Sequence, residues 1–522
     1  MTQLEKNQKL KKDLGLLELT AMGTGAIIGA GIFVAPAAVA DLAGPDGLVS
    51  WIIGGLAMLV LALFYAELGS LRPITSGFYV YAKETVGDFS AFMSGWGTLL
   101  SYATTAPIEL FTIMLYLTSF FPSLTSSLTI PIFGSVSSLT PLGIAVSLCV
   151  LWLLTALNVI GIKYGGAYAT ATTGLKLAAL GSFIIGGAFL IHPSNYGLFL
   201  PASSAGSGVL LGVSATVFSY MGFRQPTDVG AEVKNPRRNI PLAVVFSMLL
   251  SMVIYVIISS MFVGMVNWKY LGTSPGNWSA VPSTFTLAQS ASSNGAGGLA
   301  LLITAGIVVS ALGTAGIYIA TTGRVPFQMA DGSALSRVHA RFATPYVSMI
   351  AVAILQTFLL TFSLGYWAIY FLSAISGVLS YGISGPLPAM IYEKRGLKPA
   401  FKVPARQVLA PLGFVVSSLL VYWSSWPYTG YGLGFVGSGI AAYLVVKKLK
   451  SQLRAGLREM MREAWLLLYI AGLILISYIG PSNFGGTNLL PFPLDQLVVA
   501  GFSLAVYAYA YFTNSKKPSS VF

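Results

Sequence analysis

Charge is what this chain has least of. Only 9% of its 522 residues are Asp, Glu, Lys or Arg, where a soluble domain carries about 25%. So few charges cannot cover a water-facing surface, and lipid must be the main solvent. Cysteine is nearly absent as well. The single Cys149 excludes an intramolecular disulfide and, lying in an apolar stretch, suggests no metal site. No GxxxxGK[ST] motif occurs, so ATP-driven pumping by this chain has no support. A selectivity-filter repeat or a ring of charges is also missing, which argues against an ion channel. No polar stretch is long enough for a soluble domain, which argues against an enzyme or a sensor output module, and no cofactor is expected. The opening MTQLEKNQKLKKDLG lacks the small-residue cleavage site that follows a signal peptide's apolar core. It reads as a cytoplasmic tail.

What the chain does have is apolar length. Hydrophobic residues make up 55% of it, and a helix needs roughly 20 of them in a row to cross a bilayer. Fourteen stretches qualify: 17–40, 47–71, 89–121, 139–160, 165–191, 206–233, 240–266, 297–323, 345–363, 367–392, 408–426, 430–447, 464–480 and 492–512. The basic residues between them alternate sides without a break. Lys6 to Lys12, Arg72 with Lys83, Lys163, Lys234 to Arg238, Arg324 to Arg341, Lys394 to Arg406, Lys447 to Arg462 and Lys516 with Lys517 fall in every second connection. Of the 29 Lys and Arg, Lys176 and Arg224 lie inside spans, Lys269 falls on one face and the remaining 26 on the other. By the positive-inside rule both termini are cytoplasmic and fourteen spans fit. The net charge of +13 is thus spent on short loops, and no nucleic-acid surface is expected. SLTSSLTIPIFGSVSSL and the stretch 267–295 read as outside loops, and DGSALSRVHARF as a segment along the cytoplasmic interface.

The first span contains GTGAIIGAGIF, with glycines at 23, 25, 29 and 31. Gly25 and Gly29 form a small-xxx-small pair that lets helices approach closely. The other reading is a broken helix, whose unwound amides and carbonyls are tolerated at the midplane only where they line a cavity or hold a ligand. A second break belongs at the matching place in a second half. The sixth span provides it in FSYMGFRQPTDVGAE, where Gly222, Arg224, Pro226, Asp228 and Gly230 interrupt an apolar run. Spans one to five and six to ten then form two halves of opposite orientation, although they share no clear residue-level similarity. The fold class expected is an all-α integral membrane protein with an inverted five-plus-five helix repeat, broken helices 1 and 6, and about fourteen transmembrane helices. Its parts are a tail 1–16, a transport core 17–392 (repeats 17–191 and 206–392), helices 11 and 12 in 408–447, two extra helices in 464–512 and a tail 513–522.

These segments resemble a known family. GTGAIIGAGIF is similar to the first-helix motif of the amino acid–polyamine–organocation transporters, and YAELGSLRPITSGFYVYAKETVGDFSAFMSGWG to their second helix, loop and third-helix start. FSYMGFRQPTDVGAEVKNPRRNIPLAV resembles their sixth helix and the following loop, and GRVPFQMADGSALSRV the end of their eighth. The matches span the first ten helices in the family's order. The last two helices resemble its fourteen-span branches, and GFRQ resembles the branch that includes aspartate–proton symporters. The resemblance implies that a substrate α-carboxylate meets amides of the first broken helix while the α-ammonium meets carbonyls at the breaks. By motif position those contacts fall on Ile27, Gly29, Ala30 and Gly31, and on Phe218, Ser219 and Met221. Phe218 matches an aromatic that covers the substrate, and it also reads as a packing aromatic. A half-helix N-terminus, carrying about +0.5 charge, suits a carboxylate.

Ionisable residues inside a membrane cost several kcal/mol unless paired or hydrated, so each is a candidate site. Lys176 stands near the middle of the fifth span, too deep to snorkel without strain. In proton-coupled relatives a lysine here takes the place of a sodium ion, which implies a coupling role for Lys176. Arg224 must find an anion. Asp228 is one turn away, so the pair is structural or part of a gate, or else Arg224 reaches the cavity and reads a second carboxylate. Glu109 is either a pocket residue or paired with a donor, and Glu67 and Glu232 are gate or loop contacts. The expected function is a secondary active transporter in the cell membrane that takes up amino acids, with acidic ones included, by alternating access and with the proton as coupling ion. The alternatives are an amino acid/amine exchanger or a non-transporting amino acid receptor. Its partners are a small amino acid and the bilayer, and its oligomeric state is open.

Overall fold

The computed structural model describes residues 12–130, 134–160, 166–200, 202–329, 333–342, 344–362 and 365–515. Lys6, Lys9, Lys11, Lys163, Lys516 and Lys517, used above to orient the spans, lie outside these residues. The principal helices are α1 (Leu16–Ile27), α2 (Gly31–Ala43), α3 (Gly47–Leu71), α4 (Gly77–Thr85), α5 (Asp88–Leu117), α6 (Pro141–Val159), α7 (Gly166–Gly187), α8 (Ala202–Val217), α9 (Gln225–Asp228) and α10 (Pro236–Met265). They continue as α11 (Gly297–Thr322), α12 (Tyr346–Thr361), α13 (Tyr366–Ser384), α14 (Pro386–Lys394), α15 (Arg406–Tyr422), α16 (Tyr428–Leu449), α17 (Leu453–Arg462), α18 (Trp465–Ile479) and α19 (Leu494–Asn514).

The chain is an all-α, multi-pass integral membrane protein. Among the described residues ten helical segments are long and apolar enough to cross a bilayer, or eleven if the bent pair α17 and α18 is one span. Three shorter apolar helices, α1, α12 and α15, accompany them. Helix is forced on these segments because lipid offers no partner to a backbone amide or carbonyl, so each must bond within its own turn.

Burial sorts the helices into layers. α5 and α13 are buried along most of their length and pack on each other, with α11 against α5 as well. α10 packs on α3 and α1, and α7 on α11 and α1. The outer helices turn large apolar side chains outward, among them Leu153, Val253, Leu475 and Leu504. In water such a surface would drive aggregation, whereas in lipid it costs nothing.

Two stretches expected as loops carry structure. Thr125–Ile130 and Gly134–Leu139 pair as an antiparallel hairpin, with Thr125 opposite Leu139 and Ile130 opposite Gly134. The stretch 267–295 holds the short helices Trp268–Leu271 and Leu287–Ser293, the latter started by a Thr286–Gln289 capping box. Their Ser and Gly content masked the need of backbone groups packed against other segments to find partners. At the opposite end, three segments are stitched by main-chain bonds. Asp13 and Leu14 donate to the Glu232 carbonyl at 3.1 Å, Lys234 donates to Leu14 at 2.8 Å, and Ser76 donates to Asp228 at 3.0 Å.

Candidate functional site at two broken helices

The first span is broken where the glycines are densest. α1 ends at Ile27, Ile28 leaves the helical region at φ −78°, ψ 86°, and α2 restarts at Gly31. The first-turn amides of Gly31 and Ile32 have no backbone acceptor among the described residues. In the sixth span α8 ends at Val217, Phe218–Tyr220 form one tight turn, Met221 is extended, and Gly222 takes φ +108° before α9. A side chain at Gly222 would be strained by that angle, and its Cβ would lie 2.6 Å from the carbonyl carbon of Ala26. A Cβ on Gly31 would come within 2.8 Å of Ser219 Cα. Thus the two breaks touch, and absent side chains let them do so.

Each end of the first break is met by an ionisable side chain from a different helix. The Ala30 amide donates to both carboxylate oxygens of Glu109 on α5, at 2.9 Å each. That places a carboxyl group at the start of a half-helix, where the dipole favours negative charge. Lys176 on α7 donates to the carbonyls of Gly25 at 2.6 Å and Ile28 at 2.9 Å, and to Thr314 Oγ1 on α11 at 2.6 Å. Its apolar neighbours in sequence offered it nothing, and its three acceptors come from two other helices. A Cβ on Gly29 would run into the Glu109 carboxylate and lie 3.1 Å from Thr314. Gly25 also serves packing, since Thr173 of α7 stands where its Cβ would be.

Three further groups complete the site, and the sequence reading passed over them. Tyr255 of α10 donates its hydroxyl toward the carbonyls of Ile27 (2.8 Å) and Ser219 (2.9 Å), one on each break. Tyr370 of α13 stacks obliquely on Phe218, centroids 4.6 Å apart, and bonds the Ala215 carbonyl at 2.5 Å. Thr314 shares the Lys176 ammonium. The available signal was a tyrosine or threonine in mid-span, a polar tip that needs a partner when buried. All of these residues are buried, with Phe218 at 6% exposure and Lys176 at 0%, so the breaks are closed off from solvent.

Arg224 and Asp228 lie just beyond the second break. Arg224 Nε donates to Asp228 Oδ2 at 3.3 Å and to Tyr102 Oη at 3.1 Å, and Nη1 to Thr98 at 3.3 Å. Its guanidinium carbon sits 4.0 Å from the Phe78 ring centroid, with Tyr65, Tyr102 and Tyr381 also around it. Both groups are buried, and Nη2 of Arg224 and Oδ1 of Asp228 have no partner among the described residues. Met221 packs toward Gly377 of α13.

The remaining candidates stand apart from the breaks. Glu67 pairs with the buried Arg406 and accepts the Val403 amide at 2.7 Å, and Arg406 also pairs with Glu393. Glu232 lies 3.6 Å from Arg324. Both belong to contacts between helix ends and loops.

A model of the family described as "Amino acid permease" matches residues 14–446. The chain is 29% identical over 517 residues to a glutamate/serine transporter of Bacillus subtilis, covering 96% of this chain and 94% of that one. It is 29% identical over 527 residues to an aspartate-proton symporter of the same organism, covering 98% and 99%. A branched-chain amino acid permease, also from Bacillus subtilis, is 27% identical over 461 residues, covering 85% and 95%.

Proposed function

The chain belongs to the amino acid permease family, a secondary-active branch of the amino acid–polyamine–organocation superfamily, and we propose that it takes up amino acids by alternating access, driven by the proton gradient. The observation that carries this reading is the pair of ionisable side chains on the first break. An ammonium held by three oxygens at the end of α1 does what a coordinated cation would do there, and it can leave as a proton is lost. Glu109 on the Ala30 amide holds the place a substrate carboxylate would claim. A substrate arriving at the break competes with Glu109 for that amide and for the open amides of Gly31 and Ile32. Ile27, Gly29, Ala30, Gly31, Phe218, Ser219 and Met221 form the binding surface, Phe218 its cover, and Lys176 the coupling group.

The proposed architecture has fourteen spans, the first ten arranged as two inverted repeats (17–191 and 206–392), followed by 408–447 and 464–512, with both termini cytoplasmic. Helices fill each of the fourteen stretches, which supports the count. The stitched segments at Leu14, Ser76, Asp228 and Glu232 then form the cytoplasmic closure, and Glu67 with Arg406 ties its rim.

Acidic amino acids are the second part of the reading. Two relatives are named for glutamate or aspartate, and one guanidinium nitrogen of Arg224 has no partner among the described residues. A side-chain carboxylate would have to displace Asp228, so substrate binding and release of the closure would be one event. The test is uptake by purified protein in liposomes, with a panel of labelled amino acids under imposed pH or sodium gradients. Aspartate and glutamate should outcompete alanine and leucine, and Arg224→Ala should reverse that order. Equal loss for all four would make the Arg224–Asp228 pair purely structural and the substrate neutral. Uptake that ignores the pH gradient but needs amino acid on the far side would replace symport by exchange.

A further inference from the structure

At the far end of the chain, α17 and α18 meet at 62°, so the ten residues of α17 do not continue the span that follows. α17 has three faces. Gly456, Glu459 and Glu463 turn toward the protein, where Lys447 packs on Gly456, Glu459 pairs with Lys447 at 2.6 Å, and Glu463 accepts the Ser90 amide at 2.6 Å. Leu453, Leu457 and Met461, at i, i+4 and i+8, form an exposed apolar stripe, with Leu457 at 38% and Met461 at 66%. Arg454, Arg458 and Arg462 form a second exposed stripe beside it. Both acids of this segment are taken by the protein, and the three arginines make no ion pair among the described residues. A helix with exposed apolar and basic stripes side by side lies in the plane of a membrane interface.

Below α17 begins a groove of ≈ 480 Å³ on the lipid-facing side of α18 and α19. Trp465, Leu468 and Leu475 line one wall and Phe502, Val506 and Tyr509 the other. Its lining is apolar, and it includes Trp465, three residues after Arg462. The Trp465 indole N–H is buried with no acceptor among the described residues, although buried tryptophans ordinarily find one. Three guanidinium groups with no ion pair among the described residues therefore stand on a helix joined by one bend to the helix whose first residue, Trp465, lines an apolar groove.

We propose that this is a binding site for an anionic glycerophospholipid. Its phosphate-bearing headgroup would be held by Arg454, Arg458 and Arg462, and an acyl chain by the groove between α18 and α19. Guanidinium groups suit phosphate because they offer planar pairs of donors. A cationic helix followed by an apolar groove matches such a lipid, whose anionic headgroup is followed by acyl chains. The proposal stands apart from the transport reading and does not depend on it.

The test is native mass spectrometry of the full-length protein after exchange into mixtures of palmitoyl-oleoyl phosphatidylglycerol and phosphatidylcholine. Phosphatidylglycerol should be retained in preference to phosphatidylcholine at one molecule per chain. Each cation near an anionic headgroup contributes several-fold, so Arg454→Gln/Arg458→Gln/Arg462→Gln together should weaken retention on the order of a hundredfold. Ala505→Trp, at an exposed position in the groove wall, keeps the charges and should displace the lipid by filling its seat. Monodisperse elution and an unchanged thermal denaturation midpoint in detergent verify that both variants are folded. Equal retention of the two lipids, or unchanged phosphatidylglycerol retention in either variant, would overturn the site. So would a chemically cross-linked dimer that buries this groove in lipid lacking phosphatidylglycerol.

Discussion

Glu109 and Lys176 bracket a three-residue gap in a helix, one on its restarting amide and one on its ending carbonyls. Removing either leaves buried backbone groups without a partner, a loss of about 1–3 kcal/mol per group. Lys176→Ala should therefore cut pH-gradient-driven accumulation severely, and imposed sodium should not restore it unless the freed Gly25 and Ile28 carbonyls and the Thr314 hydroxyl form part of a complete sodium site. Unchanged accumulation in liposomes would remove Lys176 from coupling. Gly29 is the other single-residue test. Its missing side chain leaves the space in which the Glu109 carboxylate meets the break. Gly29→Leu should abolish uptake while insertion and elution as a folded species persist. Normal uptake would leave helix packing as the explanation of this glycine.

At the scale of elements, the site depends on two breaks that touch. Gly222 carries the strain: at φ +108° and with Ala26 backbone 2.6 Å from its Cβ position, even alanine forces the segments apart. Gly222→Ala should lower thermal stability and abolish uptake together. Gly174 of α7 has nothing within 4 Å of its Cβ position, so Gly174→Ala is the matched control and should leave both unchanged. Thermal denaturation in detergent alongside uptake separates the two. α10 and α13 matter here through Tyr255 and Tyr370, which tie the breaks to helices that are themselves continuous.

For the whole molecule, the alternation of basic loops predicts sidedness at every connection. In a Cys149→Ser background, Ser336→Cys and Lys450→Cys should react with a membrane-impermeant maleimide only from the cytoplasmic face. Ser283→Cys should react only from the outside. Labelling of Ser336→Cys and Lys450→Cys from opposite faces would break the fourteen-span topology between them. The same experiment fixes the side on which the stitched segments at Leu14, Ser76 and Glu232 close the path.

The sequence by itself determined the solvent, the helical class and the places where two helices break. Each is a local property: scarce charge excludes water, apolar length demands backbone bonds within the segment, and glycine with proline weakens those bonds where it clusters. It also exposed Lys176, Arg224 and Glu109 as groups in need of partners, because a membrane interior leaves them no water. Which partners they take was decided only by the tertiary structure. Ala30 and Glu109 are 79 residues apart, Lys176 and Ile28 148, and Tyr255 and Ile27 228. No periodicity reaches over such distances. Arg224 and Asp228, by contrast, are one helical turn apart, and their pairing was legible as a possibility. Its cage of Phe78, Tyr65, Tyr102 and Tyr381 was not, since those rings come from four separate segments that only packing brings to one point.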